Sequence, residues 1–221
     1  MSRKMHMRVS TFVFGFVFLC SCSWAAEWVG FEGRTVGGDK LQLRGILNKP
    51  IGDGPFPAVV LFCGCGGLKN ENDAKQQEAW AKRLTSWGYV SLQVDSYGPR
   101  NYDTVCDNNY AVNSLMRSYD AYSVKSYRAT LAFVDSKNLA VMGWSHGGWA
   151  VMRIVDGLYR DTDSTAFQAA IAFYPWCDML SDLDTPLLIL SGEKDEMCPA
   201  SSCELLRDSP GLKESSCEFT L

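Results

Sequence analysis

Short apolar runs recur along the chain, each bounded by glycine, proline or polar residues. Runs of this kind, rich in Val, Leu, Ile and Ala, are typical of buried strands. The predicted strands are 41–47, 58–63, 89–94, the run that ends at Gly143, 169–174 and 186–191. The last residues, 216–221, alternate apolar and polar side chains, which predicts one more strand.

Helix-compatible stretches lie between these runs. Asp73 is the predicted N-cap of a helix that continues to Trp87. Its predicted inner positions are Ala74, Ala79, Trp80 and Leu84. Further helices are predicted over 118–134, 149–159 and 199–208. Strands that alternate with helices predict an α/β fold, a mostly parallel doubly wound sheet with helices on both faces, in one domain over residues 26–221.

Two segments depart from this alternation. Residues 95–117 are polar and carry Gly, Pro and Asn, which predicts a long loop of the kind that carries function or covers a site. The predicted strand at 216–221 has nothing after it in the sequence. Because finished domains rarely stop inside a strand, we expect a fragment or truncated product, with the last strand and helix of the fold incomplete.

The residues from Gly143 to Gly147 form a G-x-S-x-G pattern, with Ser145 at its centre, between a predicted strand and a predicted helix. That context is typical of a nucleophile elbow, in which a sharp turn lifts the serine hydroxyl above the sheet. Glycines on either side let the strand and helix approach closely, and the helix N-terminus favours developing negative charge. The alternative is a glycine-rich turn with an incidental serine.

A serine nucleophile needs a base, and the chain has only two histidines, His6 and His146. His146 directly follows Ser145, and neighbouring helical side chains project to different faces. Its ring is therefore badly placed to take the serine proton, whereas its backbone N–H is expected to donate to an oxyanion. Neither histidine is therefore assigned as the base.

The N-terminus has a basic segment, an apolar run over 9–20 and small residues at Ser23 and Ala25. This is the pattern of a secretory signal peptide, residues 1–25, and predicts a periplasmic or secreted protein. One alternative is an uncleaved anchor, although the run is short for a bilayer span. Another is a lipoprotein attached through Cys22.

Charge excludes several classes of partner. Residues 1–25 contain three basic residues and no acidic ones, so their removal takes the net charge from −4 to −7. An acidic chain without a basic stripe is a poor ligand for nucleic acid or anionic membranes. We expect a small-molecule substrate, no nucleic acid and no membrane contact beyond the signal peptide; the oligomeric state stays open.

Seven of the nine cysteines lie after residue 25, and exported proteins usually join some of theirs in disulfides. Cys63 and Cys65 are too close along the chain to bridge each other comfortably. The expected bridge formers are Cys106, Cys177, Cys198, Cys203 and Cys217. An odd number leaves a free thiol or an external partner. Zinc is the competing interpretation, but there is no C-x-x-C pair, so we expect no metal and no cofactor.

Four stretches, 58–67, 89–100, 142–148 and 187–200, together resemble the dienelactone hydrolase family of α/β-hydrolases. The resemblance covers about residues 40–221 and implies the α/β-hydrolase fold. It departs from the family where many relatives have His-Gly in place of Cys63-Gly64. It departs again because the family's catalytic histidine follows one further strand, and this sequence ends as that strand begins.

The resemblance implies roles for individual residues. Ser145 stands where the nucleophile belongs and Asp195 where the triad acid belongs, although a turn aspartate would also suit Asp195. The oxyanion hole is expected from the backbone of His146 and of the Cys65 and Gly66 region.

We therefore expect an exported serine hydrolase that cleaves small ester or lactone bonds through an acyl-enzyme. Arg100, in the loop over the site, is a candidate for binding a substrate carboxylate, with a surface arginine as the alternative. The rival interpretation is a catalytically inactive, truncated remnant or a ligand-binding protein. A third uses Lys194 as the base.

Overall fold

The computed structural model describes residues 26–160, 165–208, 212 and 217–220. The predicted signal peptide, residues 1–25, and Cys22 lie outside the described residues. The strands are β1 (Ala26–Arg34), β2 (Lys40–Asn48), β3 (Phe56–Phe62), β4 (Val90–Asp95), β5 (Val134–Trp144), β6 (Ala169–Phe173), β7 (Leu187–Leu190) and β8 (Cys217–Thr220). The helices are α1 (Glu71–Ser86), α2 (Ser114–Arg128), α3 (His146–Ile154) and α4 (Ala200–Glu204), with 3-10 turns at Gly98–Arg100, Gly157–Tyr159 and Leu205–Asp208.

All eight strands join one sheet in the order β1-β2-β4-β3-β5-β6-β7-β8. The strands from β4 through β3 to β8 are mutually parallel, and only β2 and β1 run antiparallel to their neighbours. The predicted mostly parallel α/β sheet is confirmed. Strand β1 was not predicted, because among its nine residues only Phe31 and Gly33 are buried and no continuous apolar run marks it.

Alternate residues of β3 supply the cores on the two faces of the sheet. Val60 and Phe62 pack in a large cluster with apolar residues of α2 and α3, whereas Val59 and Leu61 pack with α1. Helices therefore cover both faces, as predicted. Parallel strands place their carboxyl ends at one edge, and the loops after β3, β5 and β7 meet there.

Helix boundaries differ from the predictions. The side chain of Asn70, not Asp73, caps α1, accepting from the amides of Asn72 and Asp73. Asp73 therefore lies inside the first turn, facing the loop after β3. Asn113 caps α2, which begins four residues earlier than predicted and ends at Arg128. Helix α3 begins immediately after Ser145 rather than at Trp149.

Two disulfides link distant segments, Cys65 with Cys106 and Cys177 with Cys203. Three of the expected bridge formers are thus confirmed, but Cys65 was not expected to take part. Cys198, which was expected to form a bridge, is a free thiol.

None of the helices within the described ranges combines the length and the apolar character needed to cross a bilayer.

Arg100 ties the loop after β4 to α2. Its guanidinium donates to both carboxylate oxygens of Asp120, at 3.0 and 2.8 Å, and to the Ser96 carbonyl at 2.7 Å. The Asp120 side chain is fully buried and that of Arg100 is 13% exposed. Burial raises the pKa of Asp120, and the charge of Arg100 opposes that rise.

Arg100→Met should destabilise the protein by about 3–5 kcal/mol at neutral pH, because it leaves a buried carboxylate without its cation. Lys40→Met removes the exposed Lys40–Glu32 pair and should cost at most about 1 kcal/mol. Denaturant unfolding of both variants measures the difference. The Arg100→Met loss should shrink at acidic pH, where Asp120 is protonated; equal losses in the two variants would contradict the structural role.

Candidate active site

Ser145 occupies the sharp turn between β5 and α3. Its φ of 52° and ψ of −117° lie outside the regions that L-residues ordinarily adopt, which is the strain expected of a nucleophile elbow. Its amide donates to the Phe173 carbonyl at 2.9 Å, and its carbonyl accepts from the Trp149 amide at 2.9 Å. The turn is thereby fixed on both sides, and Ser145 remains partly exposed.

The two glycines of the motif allow three backbones to meet. A Cβ on Gly143 would lie 2.2 Å from the Gly147 carbonyl oxygen. A Cβ on Gly147 would lie 2.1 Å from the Phe62 carbonyl oxygen and 2.6 Å from that of Cys63. Only glycine fits at these positions, so the motif glycines set how closely α3 approaches β3 and β5.

The loop after β3 supplies the second half of the site. Within the described part of the chain, the amides of Cys65 and His146 have no acceptor, as expected of groups available to an oxyanion. The Gly66 amide faces Asp73, and it lowers the pKa of that carboxyl against the larger effect of burial, which raises it. Cys65 is therefore the better of the two predicted second donors.

The ring of His146 is committed to a buried network. Its Nδ1 lies 2.7 Å from a guanidinium nitrogen of Arg117 and 3.1 Å from the Tyr97 hydroxyl, and its Nε2 lies 2.8 Å from the Asn109 carbonyl. A neutral ring that donates from Nε2 and accepts at Nδ1 satisfies both sides. Burial first, and the charge of Arg117 second, lower the pKa of His146 to about 4. The ring therefore has no free nitrogen for Ser145.

Asp195 lies in the turn after β7, two strands from Ser145. Its Oδ1 accepts the amides of Met197 and Cys198, both at 2.9 Å, so it does shape its own turn. No hydrogen bond joins Oδ2 to a described residue, which leaves one oxygen available to orient an imidazole. The turn role and the predicted triad role are therefore compatible.

Tyr174 lies between the nucleophile and the acid and was not singled out by the sequence analysis. It follows β6 with a φ of 37°, and its amide donates to the Leu190 carbonyl at 2.6 Å. Its hydroxyl accepts from Gln76 at 3.1 Å. Burial raises the pKa of Tyr174, and the charges of Asp73 and Asp195 add to that rise. No local pattern marks the residue, because its neighbours come from α1 and the loop after β7.

Arg100, the predicted substrate-binding residue, already has its guanidinium engaged by Asp120 and Ser96. It is neither free for a carboxylate nor an ordinary surface arginine. We therefore assign it to the framework of the loop.

The two free thiols are poorer candidates for the nucleophile than Ser145. Burial raises the pKa of Cys63 to about 11, and burial with the nearby Asp195 charge raises that of Cys198, which disfavours the thiolate in both. The described residues contain no group of three or more His, Cys, Asp or Glu side chains suited to a metal ion.

The strained serine, the paired glycines and the free amides together have the geometry of an α/β-hydrolase active site. A model of the family described as PETase, PET hydrolase-like, matches residues 57–206. The chain belongs to this family. The match extends from β3 to the segment after α4 and so includes the oxyanion loop, Ser145 and Asp195.

Two known proteins are similar to this chain in sequence. The cutinase est1 of Thermobifida alba is 25% identical over 162 residues, which are 72% of this chain and 49% of the cutinase. A probable dipeptidyl peptidase 4 of Emericella nidulans is 28% identical over 160 residues, 67% of this chain and 19% of the peptidase. The chain thus spans about half of the first relative and about a fifth of the second.

Solved structures share the fold. A proposed dienelactone hydrolase from Klebsiella pneumoniae matches with a TM-score of 0.65 at 19% identity, over 88% of this chain and 85% of that one. A dienelactone hydrolase-like promiscuous phosphotriesterase from metagenomic libraries matches with a TM-score of 0.65 at 17% identity, over 88% and 80%. The α/β-hydrolase fold is therefore confirmed, and dienelactone hydrolases are structural neighbours of this PET hydrolase-like chain.

Gly147→Ala should destabilise the protein by about 1–3 kcal/mol or more, because the new methyl group overlaps backbone oxygen atoms that cannot move aside cheaply. Gly192→Ala is the matched control, since a Cβ there meets nothing within 4 Å. Thermal unfolding should show a clear loss for the first variant and little change for the second. A Gly147→Ala protein as stable as wild type would refute the close approach.

His146 should remain neutral down to about pH 4, because burial and the guanidinium of Arg117 both disfavour the imidazolium. An NMR titration of the imidazole protons measures this, with free histidine as the comparison. The unfolded chain binds the proton at an ordinary pKa near 6.5, so this residue's contribution to stability is full above about pH 6.5 and is lost as the pH falls towards 4. A midpoint near 6.5 in the folded protein would contradict the network.

Proposed function

We propose that this chain is an ester hydrolase in which Ser145 attacks the acyl carbon of a small ester or lactone. The observation that carries the proposal is the strained Ser145 elbow, together with the His146 and Cys65 amides, which have no acceptor among the described residues. Membership of the PET hydrolase-like family supports the same class of reaction. The cutinase among its relatives supports ester substrates, and the dienelactone hydrolase neighbours support the lactone alternative.

The chemistry follows from the placement of these groups. The Ser145 oxygen forms a bond to the acyl carbon while its proton passes to a base, and the carbonyl oxygen becomes an oxyanion. The His146 and Cys65 amides, with the N-terminus of α3, stabilise that charge. The ester oxygen leaves with the proton from the base, and a water molecule then attacks the acyl-enzyme to release the acid and restore the serine.

The base must be a group other than His146. An imidazole bound to the free Oδ2 of Asp195 would be held in the tautomer that accepts the Ser145 proton. Within residues 26–221, however, His146 is the only histidine. That observation favours the second candidate function, a non-catalytic hydrolase-like protein that binds a ligand at this edge of the sheet.

Export is part of the proposal. Cys65–Cys106 and Cys177–Cys203 are disulfides between segments distant in sequence, and such bridges persist in oxidising compartments. They support the periplasmic or secreted location that the N-terminal pattern predicts.

A fluorophosphonate probe tests the nucleophile, since it bonds covalently to activated serines. Wild-type protein should be labelled and should hydrolyse p-nitrophenyl acetate or the small lactone dihydrocoumarin. Ser145→Ala should abolish labelling and reduce turnover by at least about a thousandfold. Ser136→Ala, at an exposed serine near the start of β5, is the matched control and should behave as wild type.

The two candidate functions give opposite results. Folded wild-type protein that neither labels nor turns over substrate would refute the hydrolase and leave the ligand-binding function. Equal labelling of wild type and Ser145→Ala would refute Ser145 as the nucleophile.

A further inference from the structure

Arg117 of α2 is a fully buried arginine that forms no ion pair with a carboxylate of the described residues, although its charge lowers the pKa of Asp73 and Asp120. Its side chain has no solvent exposure, and no described Asp or Glu oxygen lies within ion-pair distance of it. Its Nε has no acceptor among the described residues. The Phe62 and Tyr97 rings, 5.2 and 4.9 Å from the guanidinium carbon, offset part of the cost of burying this charge. Because burying a charged guanidinium costs free energy of folding, we expect Arg117 to have a role that an apolar side chain could not fill.

The remaining donors of the guanidinium bridge two separate parts of the site. One terminal nitrogen lies 2.7 Å from His146 Nδ1 and donates to the Tyr97 hydroxyl at 2.9 Å. The other donates to the Cys63 carbonyl at 2.9 Å. The Tyr97 hydroxyl in turn lies 3.1 Å from the Gly64 carbonyl. One planar group thus contacts both the residue after the nucleophile and the first residues of the oxyanion loop.

The two amides proposed to hold the oxyanion belong to these same parts. The His146 amide opens α3, whereas the Cys65 amide follows directly after Cys63 and Gly64 in the loop beyond β3. Their separation is not set by covalent neighbours, because the two elements are remote in sequence. It must be set by contacts between the elements.

The loop before α2 adds a second link between the same two residues. Cys65 is joined to Cys106 by a disulfide, and its carbonyl accepts the Val105 amide at 2.9 Å. The His146 ring reaches the Asn109 carbonyl of that loop through Nε2, at 2.8 Å. Arg117 therefore lies at the centre of a closed set of contacts that holds both amides.

We propose that Arg117, with the Tyr97 hydroxyl, is a positioning residue that fixes the distance between the His146 and Cys65 amides of the oxyanion hole. The inference rests on the proposed hydrolase function. A planar fork suits this role because its two terminal nitrogen atoms are held apart in fixed directions, whereas an ammonium group presents all its donors from one nitrogen atom. The interaction serves the transition state more than substrate binding, since the oxyanion forms only during reaction.

The test compares kcat and KM for p-nitrophenyl acetate in four full-length variants, each normalised to the fraction of protein that a fluorophosphonate labels to completion. Arg117→Met should lower kcat by about 100-fold with KM changed by less than about threefold, as expected when oxyanion donors are misplaced. Arg117→Lys should lose about tenfold, because it restores one contact but not both. Tyr97→Phe should lose about five- to tenfold.

Arg160→Met is the matched control, because it also removes an arginine, one whose guanidinium lies 2.5 Å from Asp184 away from the elbow. Its kcat and KM should stay within about twofold of wild type. A purely structural role for Arg117 predicts instead fewer labelled sites with an unchanged kcat for each labelled site.

Each outcome either supports or overturns the positioning role of Arg117. Folded Arg117→Met with wild-type kcat overturns the inference while leaving the hydrolase function intact. Where Arg117→Met does not fold, wild-type kcat in both Arg117→Lys and Tyr97→Phe overturns it equally, and a graded loss in those two supports it. Wild-type protein without labelling or turnover overturns the proposed function itself and, with it, the inference.

Discussion

The close approach of three backbones at the elbow is the constraint on which the site depends. Gly147 lies against the Phe62 and Cys63 carbonyls, and Gly143 lies against Gly147, so β3, β5 and α3 meet without side chains between them. This contact forces Ser145 into its strained conformation and directs the N-terminus of α3 towards the end of β3. The strain persists because the sheet on both sides is packed and the Ser145 amide is bonded to β6.

The same close approach means that the loop after β3 needs buried hydrogen-bond donors. Carbonyl groups of Cys63 and Gly64 lie below the surface, where an unpaired acceptor would be costly. Arg117 and Tyr97 meet that need, and in doing so they take up His146 Nδ1 as well. The polar network under the site is therefore a consequence of the close packing above it. Its components come from α2, the loop after β4 and the elbow.

The features that could be predicted from sequence are those encoded locally. The strand at 58–63 is buried on both faces, so it appears as a continuous apolar run, and the G-x-S-x-G pattern needs only its own flanks to be understood. The turn that contains Asp195 could be predicted because it is also local, whereas the triad role of Asp195 rests on the family resemblance and stays a prediction. Strand β1 could not, because an edge strand that packs on one side carries few apolar residues.

The residues that sequence reasoning missed depend on tertiary contacts. Arg117, Tyr97 and Tyr174 each gain their surroundings from segments far away in the chain, so no spacing in the sequence marks them. Arg100, by contrast, was predicted to bind substrate, and its contacts do not support that role. Its loop position suggested a substrate contact, yet its partner is the buried Asp120 of α2, 20 residues further along the chain. Nothing in the sequence shows that these two residues form a buried pair.

In the proposed hydrolase, the His146 residue contributes to stabilisation of the oxyanion, whereas its ring takes no part in transfer of the Ser145 proton. Burial and Arg117 keep the imidazole neutral with both nitrogens engaged, so the ring helps to hold its own amide in place and cannot exchange protons with Ser145. In the proposed hydrolase, the nucleophile and the oxyanion donors are described residues, and the proton acceptor is a group other than His146. An oxyanion hole and binding contacts retain a measurable part of catalysis even without a complete triad. The fold itself thus places the proposed oxyanion donors and the N-terminus of α3. Their placement does not depend on any base that Asp195 would hold.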